Sequence, residues 1–331
     1  MSRIALVLPG RGSYTEAAMG SLTPDHPYVI AAEAYRAELG LEPLLSLDQA
    51  DKFAPARHLR PAHVSVLIYV ATMLHVERAF QEHDVTCVLG NSMGWYTSLA
   101  AAGSLSFEEG LRLVQRMAML QEAHGSDGGQ VIYPVVGDDW LPIAEREDAV
   151  LALVGEEDAH IFPSIDLGGY VVLAGTREGL ARARDVLPPV QQGAVTYPFR
   201  LAQHGPYHTH LVADTSTAAF QTLDDLEFRV PHTTLIDGMG RRHTPWSADT
   251  NVLKNYTLGA QVTDPYEFTS SVAIALVEHA PERIVHTGPG NTLGGVIGQI
   301  CVDLGWRGMQ SRDDFAAIQA SDDPVLVSMG L

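Results

Sequence analysis

The residues best suited to do chemistry lie in Gly90-Asn91-Ser92-Met93-Gly94, which fits the G-x-S-x-G pattern. In that pattern the serine sits on a tight corner between a strand and a helix, and its hydroxyl is presented as a nucleophile for acyl transfer. Glycine on both flanks leaves room for the backbone to bend and for a substrate carbonyl to approach. The N–H of Met93, at the helix start, would face the oxygen that turns negative when Ser92 attacks. The same five residues also describe an ordinary Gly/Ser turn. Two other polar stretches stand out. Pro9-Gly10-Arg11-Gly12-Ser13-Tyr14 is a glycine-rich loop that could offer backbone N–H groups to a ligand oxygen, or be a plain tight turn; it lacks the Gly-Lys-Ser/Thr ending of a phosphate loop. His204, His208 and His210 fall in one turn, readable as a solvated surface or as a zinc site, although no neighbouring Cys or carboxylate completes a metal set.

These groups need elements to hold them. Residues 85–89 form a short apolar run expected to be a buried strand, and the Ala-rich run after Gly94 reads as a helix. Residues 4–8 read as a first strand that feeds the glycine-rich loop. Pro61 opens a helix over 62–80 that is apolar nearly all round, hence buried. Ser106, with Glu108 and Glu109 behind it, starts a helix expected to reach about 124, with Leu111, Val114, Ala118 and Gln121 along one face.

Beyond the glycine-rich break at 125–129 the pattern changes. Strands are predicted at 131–136, 149–154 and 170–174, with helices at 140–147 and 177–186. Short strands alternating with two helices suggest an inserted α+β unit resembling a ferredoxin-like split βαβ fold. From about 197 longer elements return: a helix at 211–222 after the histidine turn, a strand at 233–237, a helix begun by Pro265, a strand at 283–287 and a helix at 293–303. Strand, glycine-rich turn and helix recur, as a doubly wound, mostly parallel sheet requires. The expected organisation is a large α/β domain of residues 1–129 and 198–331, with a small subdomain of residues 130–197.

The bulk composition narrows the classes further. With 331 residues, 46% hydrophobic and 18% charged, the chain can bury a large core. A formal net charge of −19 argues against nucleic acid as a partner, because a phosphate backbone would be repelled. No apolar run is long enough for a membrane span, and the first residues read as a strand rather than a leader. Cys87 and Cys301 both lie in apolar runs and cannot build a disulfide framework, which suits a reducing cytoplasm.

Taken together, Pro9 to Ser13, Gly90 to Gly94, the continuation from Ala100 to Val114, Gly205-Pro206-Tyr207-His208-Thr209, Gln261 with Pro265, and Gly288-Pro289-Gly290 form an ordered set. In order and separation it resembles the P-G-Q-G-S, G-H-S-L-G, A-x-F-H-S, Q-x-x-x-P and G-P-G-K motifs of the malonyl-CoA:acyl-carrier-protein transacylases and the acyltransferase domains of fatty-acid and polyketide synthases. The resemblance spans most of the chain and is weakest in the insert and in residues 15–60. It implies an α/β-hydrolase-like domain. It implies a Ser92/His208 dyad, in which His208 takes the serine proton and returns a proton to the departing thiolate. It puts the oxyanion hole on the backbone N–H groups of Met93 and Arg11, and has a main-chain carbonyl near Gln261 orient His208. No metal or bound cofactor is implied; acyl-CoA would be the donor and the phosphopantetheine of an acyl carrier protein the acceptor.

Departures from the family bear on the acyl group. The family arginine that pairs with the malonyl carboxylate falls, in ungapped register, on Met117, and a thioether cannot neutralise a carboxylate. Arg116 is adjacent but turned by about 100° on a helix. Arg11, where the loop usually has Gln, and Arg60, ahead of Pro61, are the candidate replacements. Asn91 and Trp95 replace the usual His and Glu beside the nucleophile, and Tyr207 replaces Phe, with a bulk expected to disfavour α-branched acyl units. The leading expectation is an S-acyltransferase working by a ping-pong route. The alternatives are a hydrolase that clears acyl groups from a carrier protein, and a non-catalytic docking module. Because carrier proteins are acidic, docking would need a basic patch, for which Arg112 with Arg116, or Arg177, Arg182 and Arg184, are candidates.

Overall fold

The computed structural model describes residues 1–124 and 127–330. Along the chain the strands are β1 (Arg3–Leu8), β2 (Asp84–Gly90), β3 (Gly129–Pro134), β4 (Ile161–Leu167), β5 (Tyr170–Gly175), β6 (Val190–Gln192), β7 (Val195–Tyr197) and β8 (Phe199–Arg200). They continue with β9 (Thr234–Ile236), β10 (Arg242–His243), β11 (Tyr266–Glu267), β12 (Arg283–His286) and β13 (Leu326–Ser328). The fold is mixed α/β with a parallel sheet at its centre.

That sheet runs β10-β9-β2-β1-β12-β13, parallel throughout except for the β10 edge. Ile4 to Leu8 are at most 1% exposed, as a strand covered on both faces must be, and this is why β1 reads as an unbroken apolar run. The Pro61–Glu82 helix, buried along most of its length, packs against the Phe107–Ala123 helix, while the Phe268–His279 helix packs against β1 and β2. Ser106 closes a full capping box with Glu109 at the start of the Phe107–Ala123 helix. Among the described residues no helix is long and apolar enough to cross a membrane.

The loops after β1, β2 and β12 meet at the carboxyl edge of this sheet, the usual place for a ligand in a parallel α/β fold. Asn91 N–H donates to Leu8 O at 3.0 Å and Thr287 N–H to Val7 O at 3.1 Å. The elbow is pressed onto β1: a Cβ built on Gly94 would stand 2.3 Å from the Leu8 carbonyl oxygen, and one on Gly90 2.2 Å from the Gly94 carbonyl carbon.

A second sheet runs β11-β4-β5-β3-β8, antiparallel except where β11 joins β4. It has its own apolar core, in which Tyr133, Leu153, Ile161, Leu173 and Ala183 are buried. Several expectations change here. Residues 149–154, predicted as a strand, belong to the helix Ala144–Val154, and the helix predicted at 140–147 is the start of that same element. An apolar run of six cannot be told from a buried strand by pattern alone. The helix wins because Val150 and Leu153, three apart, face the core while Leu151 points out at 65% exposure, with Glu145 and Glu147 in the first turn. The missing strand is β4, whose apolar pattern is broken by Pro163 at an irregularity in its pairing with β5. The helix placed after Pro265 starts only at Phe268, because Tyr266 and Glu267 are taken up as β11. The second sheet also reaches past residue 197, drawing in β8 and β11. Of the expected break at 125–129, Gly125 and Ser126 lie outside the described residues.

The close approach of the elbow to β1 makes a direct prediction. Gly94→Ala should lower the urea midpoint by the equivalent of about 1–3 kcal/mol, the cost of overpacking. Gly295→Ala, on the exposed side of the Gly294–Asp303 helix with nothing within 4 Å of the new Cβ, should raise it by up to ~1 kcal/mol. An unchanged midpoint for Gly94→Ala would contradict the packing described.

Candidate functional site

Ser92 stands at the corner between β2 and the Gly94–Ala101 helix with φ 53°, a left-handed conformation that a non-glycine residue adopts only when its surroundings enforce it. Those surroundings are specific. Gly94 N–H donates to Asn91 O at 2.8 Å, Trp95 N–H to Ser92 O at 3.0 Å, and the Tyr266 hydroxyl to Gly90 O at 2.5 Å. The Gln261 amide donates to Ser92 O at 3.1 Å and accepts from the Tyr96 hydroxyl at 2.6 Å. The serine corner is thus clamped from behind by side chains of the 261–266 segment.

His208 comes from the far side of the cleft and is also left-handed, with φ 59°. Its backbone N–H donates to Val262 O at 3.0 Å. Its Nδ1 is 2.8 Å from Gln261 O, and a carbonyl can only accept, so Nδ1 carries the proton. Nε2 is then the lone-pair nitrogen, and it lies 2.7 Å from Ser92 Oγ, which donates to it. Burial lowers the His208 pKa to about 4; the Gln261 carbonyl opposes the shift and Arg11 adds to it. The imidazole is therefore neutral at pH 7 and free to accept a proton. The second sheet helps to hold it: Gln130 on β3 donates to Ser164 Oγ on β4 at 2.7 Å, and Ser164 donates to Tyr207 O at 2.9 Å.

A narrow cavity of about 20 Å³ opens beside Ser92, between Arg11, Ser65, Tyr96, Met117, Gln121 and Tyr207. It holds little more than one water-sized group. A second cavity of about 190 Å³ lies between the two sheets, touching Ser92, Asn91, Gln130, Leu201 and His204. Arg11 lines both. Met93 and Arg11 flank the first cavity, and among the described residues neither backbone N–H donates to a protein group.

The other expected residues divide. Met117 and Tyr207 line the first cavity and Asn91 the second. Arg116 does not: its Nε donates to the Tyr35 hydroxyl at 3.1 Å, on the side of the helix away from Ser92. Arg60 is half exposed and paired with Glu122 at 3.0 Å, so it too faces away from the cavity. Trp95 is fully buried and donates from its indole to Thr257 Oγ1 at 2.9 Å, a packing role. The three histidines have different partners: His204 Nδ1 bonds Ala202 O at 2.8 Å, and His210 packs edge-on to Phe162. Among the described residues no three His, Cys, Asp or Glu gather as a metal site. The proposed basic patches are not free either, since Arg112 pairs with Asp225, Arg177 with Asp127 and Arg182 with Glu156.

Tyr96, Ser65 and Gln121 enter the site without having been expected there. Gln121 was legible as part of the buried face of its helix; Ser65 and Tyr96 carry no local signal, since each reads as ordinary core.

No family model matches the chain. The malonyl CoA-acyl carrier protein transacylase of Haemophilus influenzae is 22% identical over 327 residues, covering 96% of this chain and 99% of that protein. An acyl carrier protein S-malonyltransferase from Vibrio cholerae superposes with a TM-score of 0.73 at 20% identity, over 99% of this chain and 97% of the other. A malonyl-transacylase solved with its type II polyketide synthase acyl carrier protein gives a TM-score of 0.72 at 22% identity, over 90% of this chain and 93% of the other. Over nearly its whole length the chain is thus similar to proteins named malonyl-CoA:acyl carrier protein transacylases, the acyltransferase family its ordered motifs resemble, and it shares their fold.

Proposed function

We propose that this chain is an acyl-CoA:acyl-carrier-protein S-acyltransferase working through an acyl-enzyme on Ser92. The observation that carries the reading is the 2.7 Å contact between Ser92 Oγ and a His208 Nε2 whose tautomer is fixed by the Gln261 carbonyl. In the first half-reaction Ser92 Oγ attacks the thioester carbonyl while His208 Nε2 takes its proton. The developing oxyanion is received by the N–H groups of Met93 and Arg11, and one such donor is worth about 3 kcal/mol. The C–S bond then breaks, and His208 returns a proton to the coenzyme A thiolate. In the second half-reaction the phosphopantetheine thiol of a carrier protein gives its proton to His208 and attacks the acyl-serine, regenerating Ser92. The Gln261 main-chain carbonyl that orients His208 takes the place of the carboxylate of a triad.

Within this reading the central parallel sheet and its helices form an α/β-hydrolase-like catalytic unit from residues 1–129 and 198–331, with 130–197 as a ferredoxin-like insert. The insert reading is supported by the order β3, helix, β4, β5, helix, with the short β6–β7 hairpin before a fourth strand, β8, just past residue 197, and by antiparallel pairing between neighbouring strands β4, β5, β3 and β8. The similarity to malonyl CoA-acyl carrier protein transacylases supports acyl-CoA as donor and the phosphopantetheine of an acyl carrier protein as acceptor. The setting is the cytoplasm, in keeping with the buried free thiols of Cys87 and Cys301.

The test is intact mass spectrometry of the protein after mixing with malonyl-CoA or acetyl-CoA. An acyl adduct should form on the wild type, vanish in Ser92→Ala, and move to a holo-carrier protein when one is added. His208→Ala should slow adduct formation by roughly 10²–10⁴-fold. An adduct lost to water and never captured by the carrier would favour a hydrolase; no adduct at all would leave a docking module.

A pH prediction follows from the sign of the His208 shift. The base must be neutral to act, and a lowered pKa keeps it neutral further into acid. Adduct formation should therefore hold steady down through the ordinary histidine range and fall only as pH approaches about 4. Stopped-time mass measurements across pH check this, and an acid limb near pH 6.5 would contradict it.

A further inference from the structure

Among the described residues Arg11 is the one formally charged side chain in the cavity walls around Ser92. Among the described residues it lines the narrow cavity, the larger cavity between the sheets, and a third, apolar one of about 280 Å³ beside Phe53 and Leu59. The chain has 40 Asp and Glu, yet none of them lines any of these three cavities. Arg11 makes no ion pair and no side-chain hydrogen bond among the described residues, and its Nη1 is shut off from solvent without a partner. Its guanidinium lies over the Tyr207 ring with Cζ 4.5 Å from the centroid, which fixes its place but leaves the in-plane N–H donors unused. A cation with a buried donor and no counter-charge is costly unless a ligand completes it.

We propose that Arg11 receives the free carboxylate of a short acyl group carried on Ser92, making this an acyltransferase for malonyl-type thioesters with the charge-reading residue on the loop after β1. The inference rests on the acyltransferase reading above. Met117, on the helix wall of the same cavity, offers only a thioether, so selection for an anionic acyl group falls to the loop. Ser65 and Gln121 supply neutral hydrogen-bonding groups to the narrow cavity, and the cavity of about 190 Å³ that Arg11 and Ser92 also line has room for a short acyl group. The carboxylate would take up the unused Nη1 donor and replace the missing counter-charge. Uncompensated positive charge at this position is consistent with the downward push Arg11 exerts on both His204 and His208.

The experiment measures initial rates of acyl-Ser92 formation by intact mass with malonyl-CoA and acetyl-CoA, for the wild type, Arg11→Gln and Arg11→Lys. The readout is the malonyl-to-acetyl ratio, in which any damage to the backbone N–H of residue 11 cancels. The wild type should prefer malonyl. Arg11→Gln should lower the ratio roughly 10- to 100-fold, the worth of a charge-assisted hydrogen bond, and Arg11→Lys should keep part of it. Thermal melting of each variant checks that the loop is still folded. A wild-type preference for acetyl, or a ratio unchanged in Arg11→Gln, overturns the inference while leaving acyl transfer standing. No adduct from either ester on the wild type overturns the acyltransferase reading, and this inference with it.

Discussion

Ser92 is held in a left-handed backbone conformation, φ 53°, that costs on the order of 1–3 kcal/mol outside glycine. Nothing local to Ser92 supplies that energy. It comes from the fit of the elbow against the end of β1, where neither Gly90 nor Gly94 has room for a Cβ, and from the hydrogen bonds that Tyr266 and Gln261 make to the carbonyls of Gly90 and Ser92. Two buried strands, one helix start and the 261–266 segment must all be in place before the hydroxyl points into the cleft. The serine's orientation is a property of the whole central sheet.

His208 is constrained in the same way but from the other sheet. Its φ of 59° is matched by a backbone bond to Val262 and by the Gln130–Ser164–Tyr207 chain of hydrogen bonds. Gln261 joins the two halves: its side chain grips the serine corner while its main-chain carbonyl sets the histidine tautomer. One residue therefore fixes both ends of a 2.7 Å contact between groups 116 positions apart. Because Gln261 and Val262 hold His208 while Gln261 also grips Ser92, a shift of that short segment would disturb both partners at once.

What could be read from the sequence was what is encoded locally. The glycine–serine corner, the all-apolar β1 run, the Ser106 capping box and the nearly all-apolar Pro61–Glu82 helix each owe their form to residues a few positions apart. The misreadings occurred where tertiary contacts decide. Residues 149–154 are apolar enough for either element, and only the exposure of Leu151 reveals the helix. Arg116 and Arg60 sit near the site in sequence register, but the turn of the helix and the Glu122 pairing carry them off it. Gln261 could be singled out by motif, yet the part its amide plays at Ser92 has no signature in spacing. Tyr96 and Ser65 line the cavity as residues that otherwise look like core.

The distribution of charge ties these points together. Buried, half-enclosed space around a serine–histidine pair amplifies any nearby charge. A carboxylate in those walls would raise the proton affinity of His208 and move the pH at which it loses its lone pair upward from about 4. It would also pair with Arg11 and neutralise the only cation that, among the described residues, lines these three cavities. In a chain whose acids outnumber its bases by nearly two to one, 40 against 21, keeping every carboxylate out of these walls satisfies both requirements at once. Apart from the buried Asp48 and Asp237, the acids lie toward the surface, where several meet arginines such as Arg112, Arg182 and Arg242 in exposed pairs. Such pairs contribute little to stability. Their consequence is electrostatic: the excess negative charge is held at the periphery, and the interior of the cleft is left with a neutral imidazole and one unpaired guanidinium.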